Sequence, residues 1–273
     1  MADQLGRAGR LQSTVRMVVG PAFRAMFKLT IEGADHLPTN GAAIIAANHT
    51  SVLHSFIVPA VLPRNVTYVG KAEYLDDWKT KHLFPALGMI PIDRSGGDAA
   101  KAALDLAASV LADGEFFAIY PEGTRSRTGK LYKGRTGVAR LSHRTGAPII
   151  PVGLQGMRDI QPPDAPLPRP FRPATIRFGA PMRPDTFGDP DDDPLVYRRM
   201  TDALMFRIRS LSEQQYENRY APSAKELAAE VAASSGSVES VDSVDVRQDV
   251  VARAPLAERR TATALLQGAS AGN

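Results

Sequence analysis

Three short blocks of this 273-residue chain hold side chains that can do chemistry. In the first, the apolar run AAIIAA (42–47) leads straight into Asn48-His49-Thr50-Ser51-Val52-Leu53-His54, so a strand delivers a histidine into a polar turn ahead of an apolar helix. An imidazole placed there can act as a general base, because its ordinary pKa near 6.5 suits proton removal from a hydroxyl at neutral pH. A lone histidine more often caps a helix or satisfies a buried carbonyl, so its neighbours must carry the argument. The second block, GMIPIDRSGG (88–97), ends an apolar strand at Asp93-Arg94 and opens a helix, where Arg94 and the turn amides could surround an anion. The third, FFAIYPEGTRSRTGKLYKGRTG (116–137), sets Glu122, Arg125, Arg127, Lys130, Lys133 and Arg135 in a glycine-rich loop after a strand. Arginine forks recognise phosphate, and glycine lets backbone amides approach it. A solvated charged loop is the bland alternative.

Other chemistries are weaker. With no cysteine, thiolate nucleophiles, thiolate metal sites and disulfides are excluded. His36, His82 and His143 sit in no zinc-ligand spacing, so no metal is expected. The basic loop is interleaved with one aromatic residue, Tyr132, and matches no nucleic-acid motif, so nucleic acid is not an expected partner.

The elements that must position these blocks follow from the alternation of short apolar runs with longer helical ones. AAIIAA, VTYVG, MIPI, FFAIY and PIIPVGL read as strands, and helices are expected over Phe56 to Val61, near Leu83, from Ala99 to Leu111 and from Val138 to Arg144. Thr175 to Phe178 is expected as an edge strand and Leu195 to Leu211 as a closing amphipathic helix. The expected fold class is α/β, a single domain with a central mixed sheet flanked by helices and an N-terminal amphipathic helical segment. The charge-free stretch from Leu37 to Pro63 fits a strand, polar turn and helix better than a membrane span, because Asn48, His49, Thr50, Ser51 and His54 interrupt its centre.

Residues 1–29 mix Arg7, Arg10, Arg16, Arg24 and Lys28 with Leu11, Val15, Val18, Phe23, Met26 and Phe27, broken by Pro21. This reads equally as an interfacial amphipathic helix pair and as a helix packed on the core with a solvated basic face. Residues 30–220 form the expected catalytic domain, and residues 221–273, poor in aromatics, a disordered tail with one helix near Lys225 to Ala233. That tail holds five Lys/Arg against seven Asp/Glu, so with a total of +4 the first 220 residues carry +6. Such a surplus favours phosphorylated substrates or an anionic membrane surface. The N-terminus lacks the features of a secretory signal, so a cytoplasmic protein, peripheral on the inner face of the cell membrane, is expected.

Together, NHTSVLH, GMIPIDR, YPEGTRS and APIIPVGL resemble, over about residues 30 to 180, the glycerolipid acyltransferases typified by the 1-acylglycerol-3-phosphate acyltransferases. The resemblance implies transfer of a fatty acyl group from acyl-CoA or acyl-carrier protein to the hydroxyl of a lysophosphatidate-like acceptor, in phospholipid biosynthesis, with no metal or bound cofactor. It makes His49 the catalytic base, and it assigns Arg94, Glu122, Gly123, Thr124 and Arg125 to the phosphate-bearing acceptor, with Lys133 as a further contact. The family motif is NHxxxxD, whereas the position of its aspartate is His54 here. A carboxylate would orient the base and stabilise the imidazolium, and a comparable loss in serine protease triads costs about four orders of magnitude. Three accounts stay open: an impaired variant, another carboxylate in the aspartate's place, or a role for His54 itself. The alternatives for the whole chain are a non-catalytic lipid- or phosphate-binding protein on the same fold, and an acyltransferase for a different lipid acceptor.

Overall fold

A computed structural model describes residues 2–71, 81, 83–92, 98–163, 165 and 167–236. The chain divides into two units, Met1–Ala221 and Pro222–Asn273. In chain order the first unit contains α1 (Ala2–Met26), β1 (Leu29–Glu32), β2 (Ala43–Ala47), α2 (His54–Val61), β3 (Val66–Lys71), α3 (Leu83–Ala86), β4 (Met89–Ile92) and α4 (Ala99–Ala112). It continues with β5 (Phe116–Ile119), β6 (Leu131–Tyr132), α5 (Gly137–Thr145), β7 (Ile149–Gln155), α6 (Met157–Ile160), β8 (Ala174–Phe178), α7 (Val196–Ser212) and β9 (Tyr216–Glu217).

Seven strands form one mixed sheet in the order β1-β8-β7-β2-β5-β3-β4. All neighbours are parallel except β7 and β8, which pair antiparallel. Central β2 is buried along its whole length, because helices cover both faces and each face needs its own apolar side chains. Ile45 joins Phe27, Ile57, Leu62, Phe116 and Ile176 on the α1/α2 side. Ile44 joins Phe117, Leu141, Met200 and Leu204 on the α4/α5/α7 side. The uncharged stretch from Leu37 to Pro63 is thus a strand, a turn and a helix.

Two expectations about elements need correction. Ala174–Phe178 is not the edge strand: β1 pairs outside it, with Ile31 opposite Ile176. β1 is a four-residue strand directly after a helix, and its alternation, with Ile31 and Leu29 packing on the core, is too brief to stand out. Nor does Pro21 split the N-terminal segment, since α1 runs through it for 25 residues. Proline removes one hydrogen bond from the helix, but contacts on both sides hold the axis. The buried Gln12 side chain donates to Val66 O (2.8 Å) and Leu87 O (2.7 Å) and accepts from Val66 N (3.1 Å). Beyond the proline, Phe23 packs against the core and Phe27 is buried in it. At Gly20 a Cβ would lie 2.8 Å from Ala60 O, so only glycine permits this approach of α1 to α2.

α1 therefore packs on the sheet and presents Met17, Val18 and Met26 to solvent. Of the two readings of the N-terminal segment, this is the helix packed on the core, in one piece rather than as a pair. Among the described residues no helix is long and apolar enough to cross a membrane. In the second unit, α8 (Ala224–Gly236) starts with a capping box in which Ser223 N donates to Glu226 Oε2 and Glu226 N to Ser223 Oγ. The expected disorder beyond residue 236 lies outside the described residues.

Candidate active site

β2 and β5 lie side by side with Ala46 opposite Ile119, so the residues after them leave the same edge of the sheet together. The space beyond the carboxyl ends of parallel strands is where open α/β sheets bind ligands. Asn48 and His49 leave β2 there, and Tyr120, Pro121 and Glu122 leave β5.

Asn48 is fully buried and extends the pairing of β2 with β7 through its side chain. Its Oδ1 accepts from Leu154 N (2.7 Å), and its Nδ2 donates to Leu154 O (2.9 Å) and Gln214 Oε1 (2.7 Å). Asparagine suits this position because one amide supplies both an acceptor and two donors.

The main chain of His49 is clamped from both sides by the third block. Its N–H donates to Glu122 Oε1 (2.9 Å), and its carbonyl accepts from Ser126 N (2.7 Å). The turn Gly123-Thr124-Arg125 is bracketed between those two contacts. Gly123 sits at φ 77°, its N–H closes a turn onto Tyr120 O (2.9 Å), and a Cβ there would meet Arg135 Nε at 2.9 Å. Glycine is favoured here by the left-handed backbone, and Arg135 lies over the space a Cβ would take. Glu122 is buried, and its second oxygen accepts from Tyr132 N (3.0 Å), so the carboxyl latches β6 and the turn to His49. Its visible partners are backbone amides. Burial raises its pKa to about 7, against the opposing pull of the Tyr132 and His49 amides.

The His49 imidazole stacks on Tyr120, with ring centroids 3.8 Å apart and planes 9° from parallel. Its Nδ1 lies 3.4 Å from His54 Nδ1. His54, at the first turn of α2, is wholly buried, and its Nε2 is 3.5 Å from Thr50 Oγ1. Desolvation lowers the His54 pKa to about 3, although a hydrogen bond to the Asn48 backbone works the other way. His54 is therefore neutral throughout the physiological range. A His54 protonated on Nε2 can donate to Thr50 and accept the Nδ1 proton of His49, which makes Nε2 the His49 nitrogen that carries the lone pair.

The basic rim is built from the rest of the third block. Arg125 is half-buried, while Gly123, Thr124 and Arg135 are exposed. Arg135 and half-buried Lys133 converge on the Tyr220 ring, 5.2 and 5.9 Å from its centroid. Among the described residues no carboxylate pairs with Arg125, Lys133 or Arg135. The glycine-rich segment is tied down by β6, which pairs with β9, by Lys130 against Glu217 (2.7 Å), and by Gln214, whose Nε2 donates to Gly129 O (2.6 Å).

The structure thus gathers His49, His54, Glu122, Gly123, Thr124 and Arg125 at one edge, with Lys133 on the rim. Arg94 lies outside the described residues. Sequence reasoning missed Tyr120, Gln214 and Tyr220. Tyr120 was visible only as the last residue of an apolar strand run, and Gln214 and Tyr220 reach the site through long-range packing that no local pattern records. Among the described residues no three His, Asp or Glu side chains converge as metal ligands would.

The chain is similar to several known proteins. Residues 28–155 match the family model for acyltransferases. The 1-acyl-sn-glycerol-3-phosphate acyltransferase of Cocos nucifera is 29% identical over 158 residues, covering 58% of this chain and 50% of that protein. That of Limnanthes douglasii is 33% identical over 129 residues, 47% of this chain and 45% of the relative. The human alpha enzyme is 27% identical over 133 residues, 48% of this chain and 47% of the relative. The chain spans about half the length of these curated relatives. In fold it is similar to the crystal structure of the 1-acyl-sn-glycerophosphate acyltransferase PlsC from Thermotoga maritima, with TM-score 0.55, 20% identity and coverage of 76% of this chain and 79% of that one. Over residues 28–155 the chain is thus similar to the acyltransferases, and its fold is similar to that of PlsC.

Proposed function

We propose that this protein transfers a fatty acyl group from an acyl thioester, acyl-CoA or acyl-carrier protein, to the hydroxyl of a lysophosphatidate-like acceptor, and that it works peripherally on an anionic membrane surface at the inner face of the cell membrane. The observation that carries the reading is the double clamp of His49 by Glu122 and Ser126, which fixes a base beside a turn rimmed by Arg125, Lys133 and Arg135. His49 Nε2 takes the acceptor proton as the hydroxyl oxygen attacks the thioester carbonyl. The carbon–sulfur bond then breaks, and the leaving thiolate takes the proton from the imidazolium. The new ester and a free thiol are the products, and neither metal nor bound cofactor enters the balance. The rate enhancement comes from positioning and from donors aimed at the developing oxyanion. Arg125 and Lys133 would hold the phosphate, with Gly123 and Thr124 shaping its seat, Glu122 holding that seat in place and Arg94 adding a further fork.

A second reading is favoured by one observation. His54 is buried and neutral where the family has a carboxylate, so a binding protein without turnover would keep the same architecture. Acyl transfer to lysophosphatidate by the wild type, lost in His49→Ala, supports the enzyme. Binding of lysophosphatidate with no transfer by the wild type supports the second reading.

A further inference from the structure

Between α6 and β8 the chain crosses from Gln161 to Pro173 with six prolines in 13 residues. Leu167 is 75% and Phe171 67% exposed. Phe171 also sits at φ 62°, a left-handed backbone that an aromatic residue adopts at a cost of roughly 1–3 kcal/mol. Burial of its ring does not offset that cost. Two backbone hydrogen bonds fix the loop instead: Arg169 N donates to Ile160 O and Phe171 N to Met26 O, each at 2.7 Å. The second bond sets Phe171 beside the end of α1, where Met26 is itself 44% exposed.

The residues that flank this apolar tip in sequence are basic. Residues 167–173 contain Arg169 and Arg172, residues 17–28 contain Arg24 and Lys28, and neither stretch has an acid. The loop also reaches the catalytic turn, since Ser51 Oγ donates to Gln161 Oε1 at 3.3 Å. Beneath it Ile160, Leu53 and Phe27 share one buried cluster. Strain that holds an aromatic ring in water, in a proline-rich loop flanked in sequence by cations, is the arrangement an interfacial anchor needs: apolar groups enter the acyl boundary and cations meet anionic headgroups. An acidic protein partner would be held by the arginines alone and would not need the exposed ring and leucine.

We infer that the loop Leu167–Arg172, with Met26, docks on an anionic bilayer and seats the mouth of the catalytic turn at the lipid surface. This deepens the proposed function and rests on its claim that the acceptor is a membrane lipid. The full chain is sedimented with phosphatidylcholine vesicles with and without phosphatidylglycerol, at low and high salt. Leu167→Ser/Phe171→Asn should weaken binding by about tenfold or more, given the apolar area removed. Asparagine tolerates the left-handed backbone, so the melting temperature should not fall. Arg169→Gln/Arg172→Gln should remove most of the gain from phosphatidylglycerol. Transfer to a water-soluble short-chain lysophosphatidate should stay at the wild-type rate in both variants. Unchanged vesicle binding by the loop variants overturns the inference, as does wild-type protein that binds acyl-carrier protein but not vesicles. Absence of transfer by the wild type sinks the acyltransferase reading, while vesicle binding still judges the loop.

Discussion

His49 is held through its backbone, its ring plane and its Nδ1. Its backbone is fixed by Glu122 and Ser126, its ring plane by Tyr120, and its Nδ1 by His54. Of the three accounts of His54, a replacement carboxylate is not supplied by Glu122, which reaches the His49 amide rather than its ring. Neutral His54 can fix the tautomer but lends no charge to the imidazolium. We expect His54→Asp to raise kcat by at least about tenfold, within the range such a carboxylate supplies. It should also move the acid limb of the pH–rate profile upward, because a carboxylate favours the protonated base. An unchanged profile would show that the pair is not coupled. Tyr120→Phe should retain activity and Tyr120→Leu lose most of it in kcat rather than KM, if stacking sets the ring. His49 and the EGTR turn were legible as a candidate site because their residues are contiguous in the sequence. The stack was not, because Tyr120 ends a strand whose alternation speaks only of burial.

The elements explain why the two halves of the site meet. Parallel β2 and β5, read from apolar runs, place NH beside PEG, and the sheet's central strands were legible because both faces are covered. β1 and the β6–β9 pair were not, being two to four residues long and defined by partners far away in the chain. The Glu122 latch yields a pH prediction. Its folded pKa of about 7 lies above the ordinary carboxyl value, so its contribution to stability is complete below that ordinary value and lost as pH rises through 7. A shift of that size corresponds to about 3 kcal/mol. His54 acts oppositely: its lowered pKa contributes above 6.5 and is eroded as pH falls toward 3. The melting-temperature difference between wild type and Glu122→Gln isolates the contribution of the Glu122 carboxyl. It should shrink from pH 5 to pH 8, and a constant difference would contradict the latch. Gly20→Val, which forces α1 from Ala60, should cost about 1–3 kcal/mol by overpacking, read from urea midpoints.

For the whole molecule, the +6 charge of the first 220 residues pointed to anionic partners without choosing among them. Met17, Val18, Met26, Leu167 and Phe171 are exposed and have basic residues near them in sequence, which is the composition the proposed membrane surface would take up. Deleting residues 1–29 would remove Gln12 and Phe27 from the core together with β1's first residue, so point changes are the cleaner probe of α1. Met17→Ser/Val18→Ser should weaken vesicle binding without lowering the melting temperature, and wild-type binding should fall as salt rises. Salt-independent binding would place the attachment elsewhere.

The most direct test is transfer of a labelled acyl group from acyl-CoA, and separately from acyl-carrier protein, to lysophosphatidate by wild type and His49→Ala. The account predicts phosphatidate from the wild type with at least one donor, and a loss of about a hundredfold or more in the variant, the range a general base contributes. Equal rates in the two proteins would contradict it.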